Sequence, residues 1–289
     1  CRSVAVGTTT TTTKNNNNND TNNPSYSSYQ HLKSIKIECP TNDQELSFCI
    51  SYLLQNLYQL ENIHFGTKCS CDTVSLAALS HALLFTPTPT VPTSSSSSSS
   101  ILPLLPLSKR LKSLSISSSS SSSSVSSKVG AGVDEGFEQF CHTLQYTTRR
   151  LTKLVLGNYY FNESTMSTLI DSLIKASSTS SSSLGNSGVG GNGIEYLSLV
   201  TCRSSSTCNG SHSHSCWELF CQQTCQQNQL PSLRILFVPQ SSALRKVLAQ
   251  TIIPINTSLE YINLNAASLS CPHSKVIKYY LDLNRGGRR

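Results

Sequence analysis

An aliphatic spacing of Leu-x-x-Leu-x-Leu type returns seven times along this chain and constrains its fold more than any other feature. The copies are Leu32, Ile35, Ile37; Leu60, Ile63, Phe65; Leu111, Leu114, Ile116; Leu151, Leu154, Leu156; Ile194, Leu197, Leu199; Leu233, Leu236, Val238; and Leu259, Ile262, Leu264. Counting the first aliphatic as position one, positions four and six alternate with polar or mixed residues, as in a short strand with one face inward. Between the copies apolar residues recur at helical spacing, as at Leu46, Cys49, Ile50, Leu53 and Leu54. The same pattern predicts helices over 73–85, 134–146, 163–176, 215–227 and 241–252. Asp134 and Asn162 stand where N-caps would, each just ahead of an acidic first turn.

Successive copies start 28, 51, 40, 43, 39 and 26 residues apart. The long intervals hold Ser94–Ser100 with the Pro-rich stretch before it, Ser117–Ser127, Ser177–Ser183 with Gly185–Gly193, and Ser204–His214. Such tracts cannot bury enough apolar surface to offset chain entropy. Disorder is therefore expected for residues 1–28 and for inserts near 86–100, 117–130, 177–193 and 203–214, with 29–289 as one domain. Lengthening a loop costs only about 0.6 kcal/mol per doubling, so the inserts are compatible with a stack of units that share one core.

A strand and a helix per copy, over about residues 29–289, resemble the leucine-rich repeat family, nearest the ribonuclease-inhibitor-like subclass with long helices. The closing Tyr279–Arg289 is also similar to the end of short leucine-rich repeat proteins. The resemblance implies an α/β solenoid, a horseshoe with a curved parallel sheet and outer helices, that binds protein with no fixed partner. In the family an Asn or Cys at the ninth motif position hydrogen-bonds a neighbour's turn. Here Cys202 alone fits, while Pro40, Lys68, Tyr159, Ser241 and Ala267 stand at that position in other copies.

Charge adds little direction. Lys and Arg number 22 against 15 Asp and Glu, a net +7, but they are scattered and do not alternate with aromatics as a nucleic-acid groove would require. The longest apolar run, 101–107, is broken by Pro103 and Pro106 and falls short of the roughly 20 residues of a membrane span. Twelve cysteines lie irregularly, and those at apolar helix positions read as buried free thiols in a reducing compartment, hence a cytoplasmic protein. The chain begins at Cys1, so it reads as a fragment whose upstream targeting signal, if present, is out of view.

Three motifs invite chemistry. Gly188–Gly193 spells G-x-G-x-x-G but leads into a strand, whereas the dinucleotide fingerprint must leave a strand and open a helix. Cys202, Cys208, His212, His214, Cys216, Cys221 and Cys225 hold enough soft ligands for zinc, chiefly Cys208, His212, His214 and Cys216, at a spacing that matches no standard finger. In the helix from Ser215, however, Trp217, Phe220, Cys221, Thr224 and Cys225 share the inward face, so burial accounts better for the thiols. Cys69 and Cys71, near His64, lack a second ligand pair. No nucleophile elbow or triad spacing occurs. No cofactor, metal or catalytic residue is expected.

Positions three and five of each motif point away from the helices. They are Ser34 and Lys36; Asn62 and His64; Ser113 and Ser115; Lys153 and Val155; Tyr196 and Ser198; Ile235 and Phe237; Tyr261 and Asn263. Bulky residues gather in the last four copies, so Lys153, Val155, Tyr196, Ile235, Phe237, Tyr261 and Asn263 are the expected partner-binding residues, with Tyr196, Phe237 and Tyr261 substantially exposed. The expected function is a monomeric protein-interaction scaffold, not an enzyme. The alternatives are a zinc-binding or nucleotide-dependent protein using the Cys/His cluster or the glycine run, and a truncated product without selected function.

Overall fold

The computed structural model describes residues 32–38, 40–57, 59–85, 106–118, 135–147, 151–178, 193–204, 215–226, 230–239, 242–252, 256–264 and 271–286. Residues 1–28 and most of each insert, and with them their expected disorder, lie outside the described residues.

In chain order the elements are β1 (Ser34–Ile37), α1 (Asp43–Asn56), β2 (Asn62–Phe65), α2 (Thr73–Leu84), β3 (Ser113–Ser117), α3 (Glu135–Leu144), β4 (Lys153–Gly157), β5 (Tyr160–Phe161), α4 (Glu163–Ser178), β6 (Tyr196–Ser198), β7 (Arg203–Ser204), α5 (Ser215–Cys221), β8 (Ile235–Phe237), α6 (Ser242–Val247), β9 (Tyr261–Ile262) and α7 (Pro272–Arg285). Helices α5 and α6 each run on into a π-helical turn, Gln222–Gln226 and Leu248–Ile252.

Seven strands form one open, wholly parallel sheet in the order β1-β2-β3-β4-β6-β8-β9. Parallel neighbours need a crossover, and the helices supply it. The expected α/β architecture with a parallel sheet is met, each strand lying on one of the seven aliphatic motifs. The fourth motif residues align directly across the sheet as Ile35, Ile63, Leu114, Leu154, Leu197, Leu236 and Ile262. All seven are buried. Behind them the helices pack successively, α1 on α2, α2 on α3 and so on to α7.

Local chemistry starts these helices. Asn42 Oδ1 accepts the Glu45 N–H at 2.8 Å and Glu45 Oε2 accepts that of Asn42 at 3.3 Å, a capping box for α1. Asn162 Oδ1 accepts the Thr165 N–H at 2.8 Å, the cap expected for α4. Asp134 lies outside the described residues. Helix α2 has no side-chain cap of its own; Asp43 of α1 accepts the N–H groups of Asp72, Val74 and Ser75 at 2.8–2.9 Å instead.

The insert boundaries need correction. Ser117, expected in a disordered tract, is the buried last residue of β3, paired with Gly157. Its hydroxyl accepts from Asn158 Nδ2 at 3.2 Å. A Cβ on Gly157 would come within 3.0 Å of that hydroxyl, so glycine lets the two strand ends close. Asn158 then turns the chain at φ 58°, a left-handed conformation that Asn tolerates, and its N–H donates to Thr201 Oγ1 at 3.0 Å. Ser177 and Ser178 extend α4, and Arg203 and Ser204 form β7, which pairs with β5. Each of these tracts begins with residues whose backbone the adjoining element uses.

Behind the short β5–β7 pair lies an aromatic core. Phe161 packs on Phe137 of α3 at 5.5 Å and on Trp217 of α5 at 6.1 Å, and Trp217 meets Phe220 at 6.3 Å. Trp217, Phe220, Cys221 and Thr224 are buried, as the inward face of that helix required, and Cys216, read from the sequence as a zinc candidate, is buried with them.

Candidate functional site

The face of the sheet opposite the helices carries motif positions three and five. Strand register brings the expected residues together: Lys153, Tyr196, Ile235 and Tyr261 align directly across β4, β6, β8 and β9, with Val155, Ser198 and Phe237 aligned beside them. The aromatic contacts run on a zigzag between these two rows. Tyr196 and Phe237 have centroids 5.3 Å apart at 35°, and Phe237 and Tyr261 5.4 Å apart at 42°. Lys153 Nζ sits 4.8 Å from the Tyr196 centroid, within cation–π range. Four side chains thus form an unbroken run across four strands.

Their exposure departs from expectation in detail. Tyr261 is 41% exposed and Lys153 is exposed, whereas Tyr196, Ile235 and Phe237 are half-buried. The half-burial follows from mutual contact, since each ring covers part of the next. Burial in turn raises the Tyr196 phenol above its ordinary range, with the neighbouring Tyr261 adding to it. Val155 is half-buried, and Ser115 and Ser198, although on the open face, are hidden between larger neighbours.

Asn263 requires a different assignment. Its Oδ1 accepts the Val238 N–H at 2.9 Å and its Nδ2 donates to the Val238 carbonyl at 3.0 Å. Both ends of the amide hold the chain after β8, so the residue extends the pairing of β9, whose own strand is short. Its motif position predicts a side chain open to a partner, whereas both of its polar atoms engage the backbone after β8.

The N-terminal half of the face is polar and cationic. Lys36 is exposed and meets Glu38 at 2.7 Å; Asn62, His64 and Ser113 are half-buried. Partial burial holds His64 below the ordinary histidine range, and the positive field of Lys36 and Lys153 pushes the same way against Glu38. Bordering the face, motif position two carries charges of alternating sign. Lys112 meets Glu61 at 2.8 Å and Arg234 meets Glu260 at 3.0 Å, each pair spanning adjacent strands.

The motifs read for chemistry do not converge. Cys69, Cys71 and Cys202 lie in the core while His64 is on the open face. Cys202 Sγ donates to the Leu156 carbonyl at 3.2 Å, the expected ninth-position bond to the neighbouring unit. Cys69 makes the same bond to the Ile37 carbonyl at 3.2 Å from one residue later in its unit, a role not anticipated. Burial pushes the Cys202 thiol up to about 12, the Tyr159 backbone opposing, and burial likewise drives the Cys71 thiol and Tyr159 phenol far up. Tyr159 donates to the Cys71 carbonyl at 2.7 Å. Such thiols are poor nucleophiles and poor ligands.

Cys71, Cys141, Cys202 and Cys271 carry free thiols. Cys208, His212 and His214, the side chain of Cys225, and the glycine run 188–192 lie outside the described residues. Among the described residues no group of three His, Cys, Asp or Glu is placed to hold a metal, and no helix is long and apolar enough to cross a membrane. No protein-family model and no curated protein matches the chain.

Proposed function

We propose that the chain is a leucine-rich repeat solenoid, a horseshoe whose concave face binds a protein partner, and that it acts as an interaction scaffold and not as an enzyme. Parallel strands in chain order, helices confined to one side, and the Cys69 and Cys202 bonds back to a preceding unit support the solenoid reading. The observation that carries the binding reading is the run Lys153–Tyr196–Phe237–Tyr261 on the helix-free face. Aromatic side chains with a polar handle, held rigid by their neighbours, anchor interfaces at little entropic cost. The free buried thiols fit a cytoplasmic location.

The test compares the parent with Tyr196→Ser, Phe237→Ser and Tyr261→Ser in affinity capture from the source cell, alongside thermal melts. An anchor loses roughly 2 kcal/mol or more of affinity on truncation. Because the rings lean on one another, Phe237→Ser should also cost about 0.5–1.5 kcal/mol of stability, and Tyr261→Ser less. A partner retained by all three folded variants would remove the face from the interaction.

A further inference from the structure

The helix-free face is divided in charge and character, and the division describes what fits it. None of the residues at motif positions three and five is Asp or Glu, while Lys36, His64 and Lys153 are among them. Four carboxylates border the face: Glu38 holds Lys36, Glu61 holds Lys112, Glu260 holds Arg234, and Glu195, beside Tyr196, has a partner of its own. Among the described residues no carboxylate pairs with Lys153, which stands exposed at the boundary between the polar half and the aromatic run. Here a cation leans over one ring face and leaves the other side of its ammonium to solvent.

Resting on the binding reading above, we propose that the occupant is an extended acidic segment with an apolar anchor, its carboxylate on Lys153 and its apolar residues across Tyr196, Ile235, Phe237 and Tyr261. The dimensions support this. Neighbouring strands stand about 4.8 Å apart, so the three steps from β4 to β9 span about 14 Å, the reach of about four extended residues at ~3.3 Å each. The three steps from β1 to β4 put Lys36 a similar ~14 Å away on the other side, where a second carboxylate would compete with Glu38. The opposite potential of partner and face sets orientation and encounter rate, and the rings set residence.

A single-stranded nucleic acid would also use cations and rings, but this face favours the peptide. Nucleic-acid sites neutralise several phosphates along a basic groove, and this face offers two lysines, one of them already paired. The three rings also pack on one another at 5.3–5.4 Å, which leaves no slot for a base between them.

The experiment selects random twelve-residue peptides on the full chain and discards those that also bind a Tyr196→Ser/Phe237→Ser double variant. Peptides that survive should carry Asp or Glu about four residues from Leu, Phe or Trp, by the span of strands given above. Their affinity, read by fluorescence anisotropy, should fall about tenfold in Lys153→Glu and by less in Lys153→Gln, with thermal melts of both variants matching the parent. Replacing the peptide's carboxylates by lysines should restore binding to Lys153→Glu. Surviving peptides without acidic bias, or an affinity unchanged by Lys153→Glu, would overturn the acidic assignment while leaving the binding face in place. No peptide that depends on the two rings would overturn the face itself. An oligothymidine that binds more tightly than every selected peptide, and is weakened by Lys153→Glu, would replace the peptide with nucleic acid.

Discussion

Asp43 serves two helices at once. It lies in the first turn of α1, and its carboxylate accepts three N–H groups at the start of α2, including those of Val74 and Ser75. Asp72, in the N-cap position of α2, is turned away from that task; its carboxylate accepts from the hydroxyls of Ser70 and Ser118. A charged acceptor at a helix start both satisfies orphan donors and meets the positive end of the dipole. Asp43→Ala should therefore cost about 1–2 kcal/mol in urea unfolding, and Asp43→Asn less, since one acceptor survives. A loss within about 0.5 kcal/mol for Asp43→Ala would show that water replaces the carboxylate without penalty. At this scale two residues were legible, one by a local cap and one by its place in the motif. Asn162 caps three residues ahead, and Cys202 stands at the ninth motif position, where the sequence resemblance led one to look, although its partner lies 46 residues away. Asp43 and Cys69 were not legible, because their partners lie 29–32 residues away in the neighbouring unit and Cys69 sits one place late.

Strands were legible because their aliphatic spacing repeats and their inward residues are all apolar, and helices α1 to α6 were legible from apolar residues at helical spacing. Leu154, Leu197 and Leu236 are fully buried in the row that crosses the sheet. Each change to Ala should cost on the order of 2–5 kcal/mol, since strands pinned on both sides cannot collapse into the space left. Melting of all three variants at the parent temperature would mean the row is not the core. Helix α7 is not legible from periodicity, because apolar residues make up only half of its inward stripe. Its buried positions are Ser274, Ile277, Leu281 and Asn284, a helical stripe half made of polar residues. Asn284 belongs inside because its Nδ2 donates to the carbonyls of Asn256 and Leu259, at 3.0 and 2.7 Å, closing the turn before β9. The β5–β7 pair escaped because two-residue strands have no periodicity, and β7 opens a tract that composition assigns to a loop.

For the whole molecule, the decisive property is that elements pack on their neighbours in order, strand on next strand and helix on next helix. Stability in such an array is a sum of unit and interface terms, so damage at one end need not reach the other. Ile277 of α7 and Leu154 of β4 are both fully buried, and truncation of either to Ala should cost a similar ~2–5 kcal/mol locally. Their consequences should differ in place. Native-state hydrogen exchange of Ile277→Ala should speed up in α7, β9 and the turn at Asn256, with amides of β1, β2 and β3 protected as in the parent. Leu154→Ala lies between the two halves and should speed exchange on both sides, in β3 and β6 alike, because each of those strands bonds directly to β4. Equal acceleration throughout the sheet in both variants would mean that the molecule opens only as one unit. In that case the aromatic run near the C-terminal end would rest on the stability of the entire chain. If exchange stays local, the end bearing Phe237 and Tyr261 opens independently of β1–β3, and a partner bound there should restore protection to β8, β9 and α7 first.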